Sequence, residues 1–333
     1  MIFHIGKNFV NCLANSIENS FMKTLLFFSI SFVLLSGCQS SIDYVDTGHA
    51  LEYKLEGKTL FRYNYTTVYP PVGADSVYKR SGFFHPVNSL SGETLTNLSP
   101  SDHYHHYGLW YAWTKTTFEG NEIDFWNVGK KQGNVRFKEF IDISDSGFSA
   151  ILEHIAYPDS TAEKIAMTEN LEIKLGKSSI PGYYMDYITT IQCATKSPVI
   201  LETYRYGGMV IRTREDWTPD RTSFITSEGY TRKNADNSDA RWAYFQGKAN
   251  EKDACILILS HPSNLNHPEP LRIWDEKANS GNGDMMWNFS PTKKQSYTLA
   301  PSAKLRLHYR IFIFDRMIDI NEAENLWQSF VKE

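Results

Sequence analysis

An all-β fold, a large two-sheet antiparallel β-sandwich completed by a C-terminal α-helix, is what this sequence predicts. Three observations carry the prediction. Along most of the chain, apolar and polar residues alternate, or apolar residues run together, in short segments set between turn residues. These segments are not interleaved with helical patterns, as a βαβ protein would require. Only one stretch, near the C-terminal end, repeats its apolar residues on one helical face. Composition agrees, since 41% hydrophobic and 22% charged residues in 333 supply both a sizeable core and a soluble surface. No internal repeat or proline-rich linker marks a second domain.

Taken in order, the chain opens on a leader. Met22-Lys23 gives a positive start, an apolar run follows, and the small residues Ser36-Gly37 precede Cys38. This is the pattern of a secretory signal, too short for a permanent bilayer span. Leu35-Ser36-Gly37-Cys38 resembles the bacterial lipobox, which implies cleavage before Cys38 and a diacylglycerol on its thiol. Met22 is a better start than Met1, so residues 1–21 are expected not to be translated, and residues 1–38 to be leader and signal. Residues 39–48 are then a polar tether and 49–333 a single domain, exported and lipid-anchored to the bacterial outer membrane on its periplasmic or surface face.

Within that domain, 51–55 and 59–65 flank Glu56-Gly57 and predict a hairpin. Strands follow at 135–140, 148–157, 164–175, 183–193, 199–206 and 222–227, then at 241–246, 255–260, 271–274, 296–299 and 305–314. Residues 233–239 and Gly281-Asn282-Gly283 are loops. Asp319-Ile320-Asn321-Glu322 has the spacing of a capping box, and Ala323, Leu326, Trp327 and Phe330 then share one helical face that should dock on a sheet.

A formal net charge of -4 offers no basic field for phosphate backbones, which excludes nucleic acid as a partner. Aromatic residues make up 14%; they suit a sandwich core, and equally a sugar-binding cleft that needs flat faces with polar edges. Cys12 and Cys38 fall in the leader, and Cys193 and Cys255 lie in apolar runs that predict buried free thiols. No Cys/His spacing of the zinc-finger type occurs.

The densest polar cluster is Ser101-Asp102-His103-Tyr104-His105-His106-Tyr107. An extended backbone would put His103 and His105 on one face and His106 on the other, whereas a turn would converge all three. Imidazole titrates nearest neutrality, so such a group suits proton transfer, metal ligation or hydrogen bonding to sugar hydroxyls. Trp110, Trp113 and Trp126 crowd the neighbourhood and could form a stacking wall.

Phe83-Phe84-His85-Pro86-Val87, the His103 to Trp110 cluster and Asp124-Phe125-Trp126 resemble successive landmarks of a bacterial domain family of unknown function labelled PmoA-like, after a methane oxygenase. Glu228-Gly229-Tyr230-Thr231-Arg232, Ala240-Arg241-Trp242, His261-Pro262-Ser263-Asn264, His267-Pro268 and the last strand continue the resemblance. Leu271 departs from it, standing where the family places an aromatic residue. A membrane methane oxygenase subunit needs several apolar spans of about twenty residues, and the chain after Cys38 has none, so the oxygenase label is not adopted. The resemblance implies instead a Bacteroidetes-type lipoprotein among sugar-degrading neighbours, with a mutarotase-like supersandwich fold and a carbohydrate role by analogy.

The remaining candidates are charged residues at strand ends. Arg205, with Arg212 and Arg214 after it, could hold a carboxylate or sugar hydroxyls through a planar fork of donors, although weak surface ion pairs explain Arg212 and Arg214 better; Arg232 and Arg241 could neutralise Glu228 or bind substrate. Glu228 beside Gly229 is the candidate second acid or base, and His261 and His267 sit on a loop leaving an apolar strand. The leading expectation is a carbohydrate-active hydrolase, lyase or epimerase in which His103, His105, His106, Glu228 and His261 exchange protons. Trp110, Trp126, Arg205, Arg232, Arg241 and His267 would bind the substrate. No cofactor is required. Two alternatives are a non-catalytic glycan-binding lipoprotein and an enzyme whose His103, His105 and His106 ligate a divalent metal.

Overall fold

The hairpin around Glu56-Gly57 shows how local sequence sets this architecture. Glu56 and Gly57 adopt φ of 52° and 76°, the left-handed pair that lets a two-residue turn follow the right-handed twist of its strands. Strands Ala50–Leu55 and Lys58–Asn64 then pair directly. The structure is a computed structural model that describes residues 41–159, 162–178, 180–281 and 285–333. Leader, signal and Cys38 lie outside the described residues. Ser41–Glu333 form one compact unit, and no helix among the described residues is long and apolar enough to cross a membrane.

Among the described residues the strands form a nine-stranded, an eight-stranded and a small four-stranded sheet. The nine-stranded sheet runs from its edge strand Ile42–Asp46 through Ala50–Leu55, Lys58–Asn64, Phe83–Val87, Leu109–Trp113, Gly207–Arg212, Met286–Phe289 and Glu269–Ile273 to Asp239–Ala240. In the eight-stranded sheet the long strands Lys304–Phe314, Gly182–Cys193 and Ala162–Lys177 lie side by side, antiparallel. Alternate residues of both sheets point inward and meet. Phe84 lies 6.0 Å from Tyr187, Phe224 5.4 Å from Trp287 and Phe289 5.9 Å from Tyr309, ring centre to ring centre. The Tyr183 hydroxyl crosses the interface to donate to the carbonyls of Leu60 and Asn88 at 2.9 Å. This is the antiparallel sandwich expected from the sequence, with its core between the two large sheets.

The outward residues of each large sheet build a second apolar layer. On the eight-stranded sheet, Trp242, Tyr244, Leu257, Leu259, Phe312 and Phe314 receive the C-terminal helix Ile320–Phe330 through Ala323, Trp327 and Phe330. Asp319 and Glu322 cap that helix reciprocally, as their spacing predicts. On the nine-stranded sheet, Trp110, Ala112, Val210 and Met286 point outward and gather Phe83, Tyr107, Trp126 and Trp274. That outer layer carries the candidate site.

Two sequence expectations change. Ile42–Asp46 is an edge strand paired along Ala50–Leu55, not a free tether, because pairing satisfies a backbone that would otherwise lie open at the sheet edge. The strand expected over 199–206 ends at Leu201, and Tyr204 to Tyr206 leave the sheet to line a cleft. Cys193 and Cys255 are buried free thiols.

Candidate functional site

Two tight turns, closed by a bridge across their ends, shape the histidine segment. Ser99 N–H donates to the His106 carbonyl at 2.8 Å, His103 N–H to Pro100 at 2.9 Å and His106 N–H to His103 at 3.0 Å. The backbone therefore coils, and the three imidazoles that an extended chain would split meet on one side. The His103 and His106 rings stack with centres 4.7 Å apart, and His105 lies 5.4 and 4.9 Å from them. The cluster stands over the outer face of the nine-stranded sheet, where the His106 ring lies 5.4 Å from Trp110 and the His103 ring 4.9 Å from Trp274.

These rings line one side of a cleft of about 250 Å³. Trp126 and Trp274 supply aromatic walls, Tyr204, Arg205 and Tyr206 close the far side, and Asp124, Asn127 and Lys130 complete the rim.

Two hydrogen-bonded assemblies stand behind the cleft. In the first, Asp102 faces His103 Nδ1 at 3.0 Å and accepts from Arg212 Nη2 at 3.1 Å and from the Asn279 amide. Burial alone would raise the Asp102 carboxyl, but the hydrogen bond from His103 and the Arg212 charge bring it down to about 2. Arg212 is almost wholly buried, lies 5.1 Å from the Trp274 ring, and brings Nη1 to 3.2 Å from His106 Nδ1. Burial pushes the His105 imidazole down to about 4 and His106 well below its ordinary range, and neighbouring positive charge adds to both.

The second assembly holds Tyr206. Its hydroxyl oxygen accepts from Arg272 Nη2 and from Trp274 Nε1, each at 3.3 Å. Neither donor has a lone pair to offer, so the Tyr206 hydrogen is directed elsewhere. Arg272 is anchored at 3.1 Å by Asp236, a carboxylate it shares with Lys293 at 2.8 Å. Two cations against one anion leave positive charge beside the phenol. On the rim, Asp124 accepts from the backbone of Trp126 and Asn127 and pairs with Lys130 at 2.9 Å. Burial opposes the Lys130 charge, yet Asp124 holds the ammonium above its ordinary range.

His103, His105, His106, Trp126 and Arg205 thus share the cleft as the sequence suggests. Trp110 does not touch it: at 0% exposure it is the floor beneath His106, and Trp113 points inward to the core. Arg232 is buried and donates to the Trp274 carbonyl at 3.0 Å, which braces that wall.

Glu228, Arg241, His261 and His267 are not brought to the histidine cluster. They gather around the C-terminal helix, which packs on the outer face of the other sheet. Arg241 pairs with Glu324 at 2.8 Å and with Glu228 at 3.5 Å and lies over Trp327, His267 stacks on Trp327, and His261 packs on His308 and Phe330. Sequence order cannot tell which outer face a strand end serves, and the thickness of the sandwich separates the two groups. Conversely, Tyr206 and Trp274 line the cleft without having been singled out for it, and Asp102 and Arg212 stand behind it. Asp102 directly before His103 was the available signal, whereas Arg212 resembled a surface arginine.

The cleft also bears on metal binding. An ion held by all three imidazoles would need a lone pair from each toward a common point, with the Arg212 cation 3.2 Å from one of the rings. No group of three His, Cys, Asp or Glu among the described residues is spaced to hold an ion.

Residues 50–328 match the model of a family described as a family of unknown function, DUF6807. That description carries no methane-oxygenase label. No curated protein matches the chain by sequence. Among solved structures it is similar to a heparan sulfate lyase of Pedobacter heparinus at 6% identity and a TM-score of 0.35, over 81% of this chain and 34% of the lyase. It is similar to another polysaccharide lyase at 12% identity and a TM-score of 0.36, over 85% of this chain and 34% of that one. For a mutarotase candidate from Salmonella typhimurium the values are 9% and 0.41, over 83% and 94%. The chain therefore spans about a third of the length of the lyases it matches.

Proposed function

The chain belongs to the DUF6807 family, and from its cleft we propose that it is an acid–base enzyme acting on a carbohydrate-derived substrate. The observation that carries the proposal is that His103 and Tyr206 line one cleft and each contacts Trp274, His103 through its ring at 4.9 Å and Tyr206 through its hydroxyl at 3.3 Å. Asp102 occupies the Nδ1 edge of His103, so the Nε2 edge is the one turned to a ligand, and a carboxylate that orients an imidazole this way makes it a competent base. Tyr206, relieved of its role as donor to the protein, offers its hydrogen from the other side. In turnover His103 Nε2 takes a proton from a substrate C–H or O–H. The electron pair left behind forms a new C=C bond (from C–H) or C=O bond (from O–H), a carbonyl π bond or C–O bond on the carbon that gains this double bond breaks with its pair going to a second substrate oxygen, and the Tyr206 O–H bond breaks to protonate that oxygen. One proton is taken and one given, and the imidazolium and phenolate reset by exchange with water or by the reverse step.

This favours lyase, epimerase or ring-opening chemistry over a two-carboxylate hydrolysis, because both carboxylates at the cleft, Asp102 and Asp124, are already engaged in ion pairs. Aromatic walls with polar edges favour a sugar ring as the occupant. Purified protein should be screened by product NMR against free monosaccharides and neutral and acidic oligosaccharides. For a sugar that is turned over, His103→Ala and Tyr206→Phe should each lower kcat by about 10²–10⁴ with the fold intact by circular dichroism. Undiminished turnover in His103→Ala removes the proposal. Binding with no turnover across the panel, lost on Trp126→Ala, favours instead a glycan-binding protein, a role the same aromatic walls would serve.

We also read Cys38 as the site of a lipid anchor that places the domain at the outer membrane. Cells fed labelled palmitate should mark the wild-type protein and leave Cys38→Ser unlabelled; equal labelling sinks that reading.

A further inference from the structure

We propose that Arg212 is a positioning residue that fixes His106 as a neutral imidazole with its hydrogen on Nε2, a donor into the cleft for the substrate oxygen that gains charge. The proposal deepens the acid–base reading and rests on it for the role in turnover. Arg212 ends the strand Gly207–Arg212, is 1% exposed, and sets Nη1 3.2 Å from His106 Nδ1. A guanidinium carries five N–H donors and no acceptor, so the nitrogen that faces it must present its lone pair. A neutral ring then keeps its single hydrogen on Nε2, the edge away from Arg212.

A second proton could enter only between Nδ1 and the guanidinium, where it would meet positive charge in a site shielded from water. Among the described residues, the other groups facing the ring do not relieve this. His103 and His105 face it from its own segment, and the uncharged indoles of Trp110, Trp126 and Trp274 face it from the sheet and its loops. The Asp102 carboxylate is turned to His103 and Arg212. Burial, with His105, Arg212 and His103 adding to it, holds the imidazole neutral well into the acid range.

The stacked His103 ring is the complement. Its Nδ1 faces a carboxylate, which can only accept, so the hydrogen lies there and Nε2 is left bare. Two identical side chains 4.7 Å apart thus present opposite polarity to a ligand, one taking a proton while the other supports the oxygen that becomes negative.

Two-bond proton–nitrogen correlation spectra of histidine-labelled full-length protein report which ring nitrogen carries hydrogen, and a His106→Gln spectrum identifies the signals of that ring. Expected is His106 with hydrogen on Nε2 at neutral pH, unchanged as the pH is lowered through the ordinary imidazole range. Arg212→Lys should retain the pattern and Arg212→Gln should lose it. His106 with its hydrogen on Nδ1, or as an imidazolium at neutral pH, overturns the proposal even if a substrate is turned over. The expected spectrum without any turnover leaves the assignment standing and counts against the acid–base reading instead. If Arg212→Gln does not fold, the wild-type spectrum decides.

Discussion

Glu269 is fully buried where the two large sheets meet, and three donors converge on its carboxyl. Ser260 Oγ and Asn264 Nδ2 reach one oxygen at 2.5 and 2.9 Å, and the Tyr309 hydroxyl reaches the other at 2.8 Å. Burial raises this acid to about 7, against hydrogen bonds from Ser260, Asn264 and Tyr309 that pull it down. A folded-state value above the unfolded one means that the folded protein holds the proton more tightly. The resulting stability is full in the acid range below the ordinary carboxylate value and is lost as pH rises through about 7. Glu269→Gln keeps a neutral group of the same shape. The difference in melting temperature between variant and wild type should therefore grow in the variant's favour between about pH 5 and pH 7 and then level off. A difference that stays flat with pH would show that the buried acid is ionised throughout. The same dependence on surroundings explains what the residues alone disclosed about the site. Three histidines in four positions mark the segment out in the sequence, and its turns bring them together. Arg212 and Tyr206 gave no such sign, because what makes them part of the site is a partner more than sixty positions away: Asp102 for one, Arg272 and Trp274 for the other.

The strand Gly207–Arg212 supplies both ends of the site, with Tyr206 before it and Arg212 at its close. It starts on two glycines. Gly208 has φ of 93°, and a Cβ there would stand 2.6 Å from the Phe289 carbonyl oxygen and 2.9 Å from Pro291. Both the conformation and the space exclude a side chain. Gly208→Ala should cost about 1–3 kcal/mol and lower turnover of any substrate found, since the Tyr206 corner must move. Gly57→Ala is the control: its φ is 76° but nothing lies within 4 Å, so its cost should be about 1 kcal/mol. Equal shifts in thermal unfolding for the two variants would mean that close packing at Gly208 contributes nothing. This strand was not legible beforehand, for a reason it shares with two neighbours in the middle of its sheet. Gly207–Arg212, Leu109–Trp113 and Met286–Phe289 are covered on both faces, so they read as apolar clusters without alternation. The long strands of the other sheet alternate, and the terminal helix carries its capping box in plain sequence.

At the scale of the molecule the sandwich has two covered outer faces with different uses. One is sealed by the helix Ile320–Phe330, and there Arg241, Glu228, His261 and His267 take part in holding that helix down. The other stays open enough to form the cleft. The all-β class, the order of most strands and the helix could be read from periodicity. The assignment of distant strand ends to one face or the other could not, because it is settled by how two sheets fold over one another.

The open face also divides its labour: strands provide the base on which Trp110, Val210 and Met286 sit, while the walls come from separate connecting segments around 99–107, 124–131, 204–206 and 274–281. Substitutions in those connectors can therefore reshape the cleft one wall at a time while the strands beneath keep their pairing.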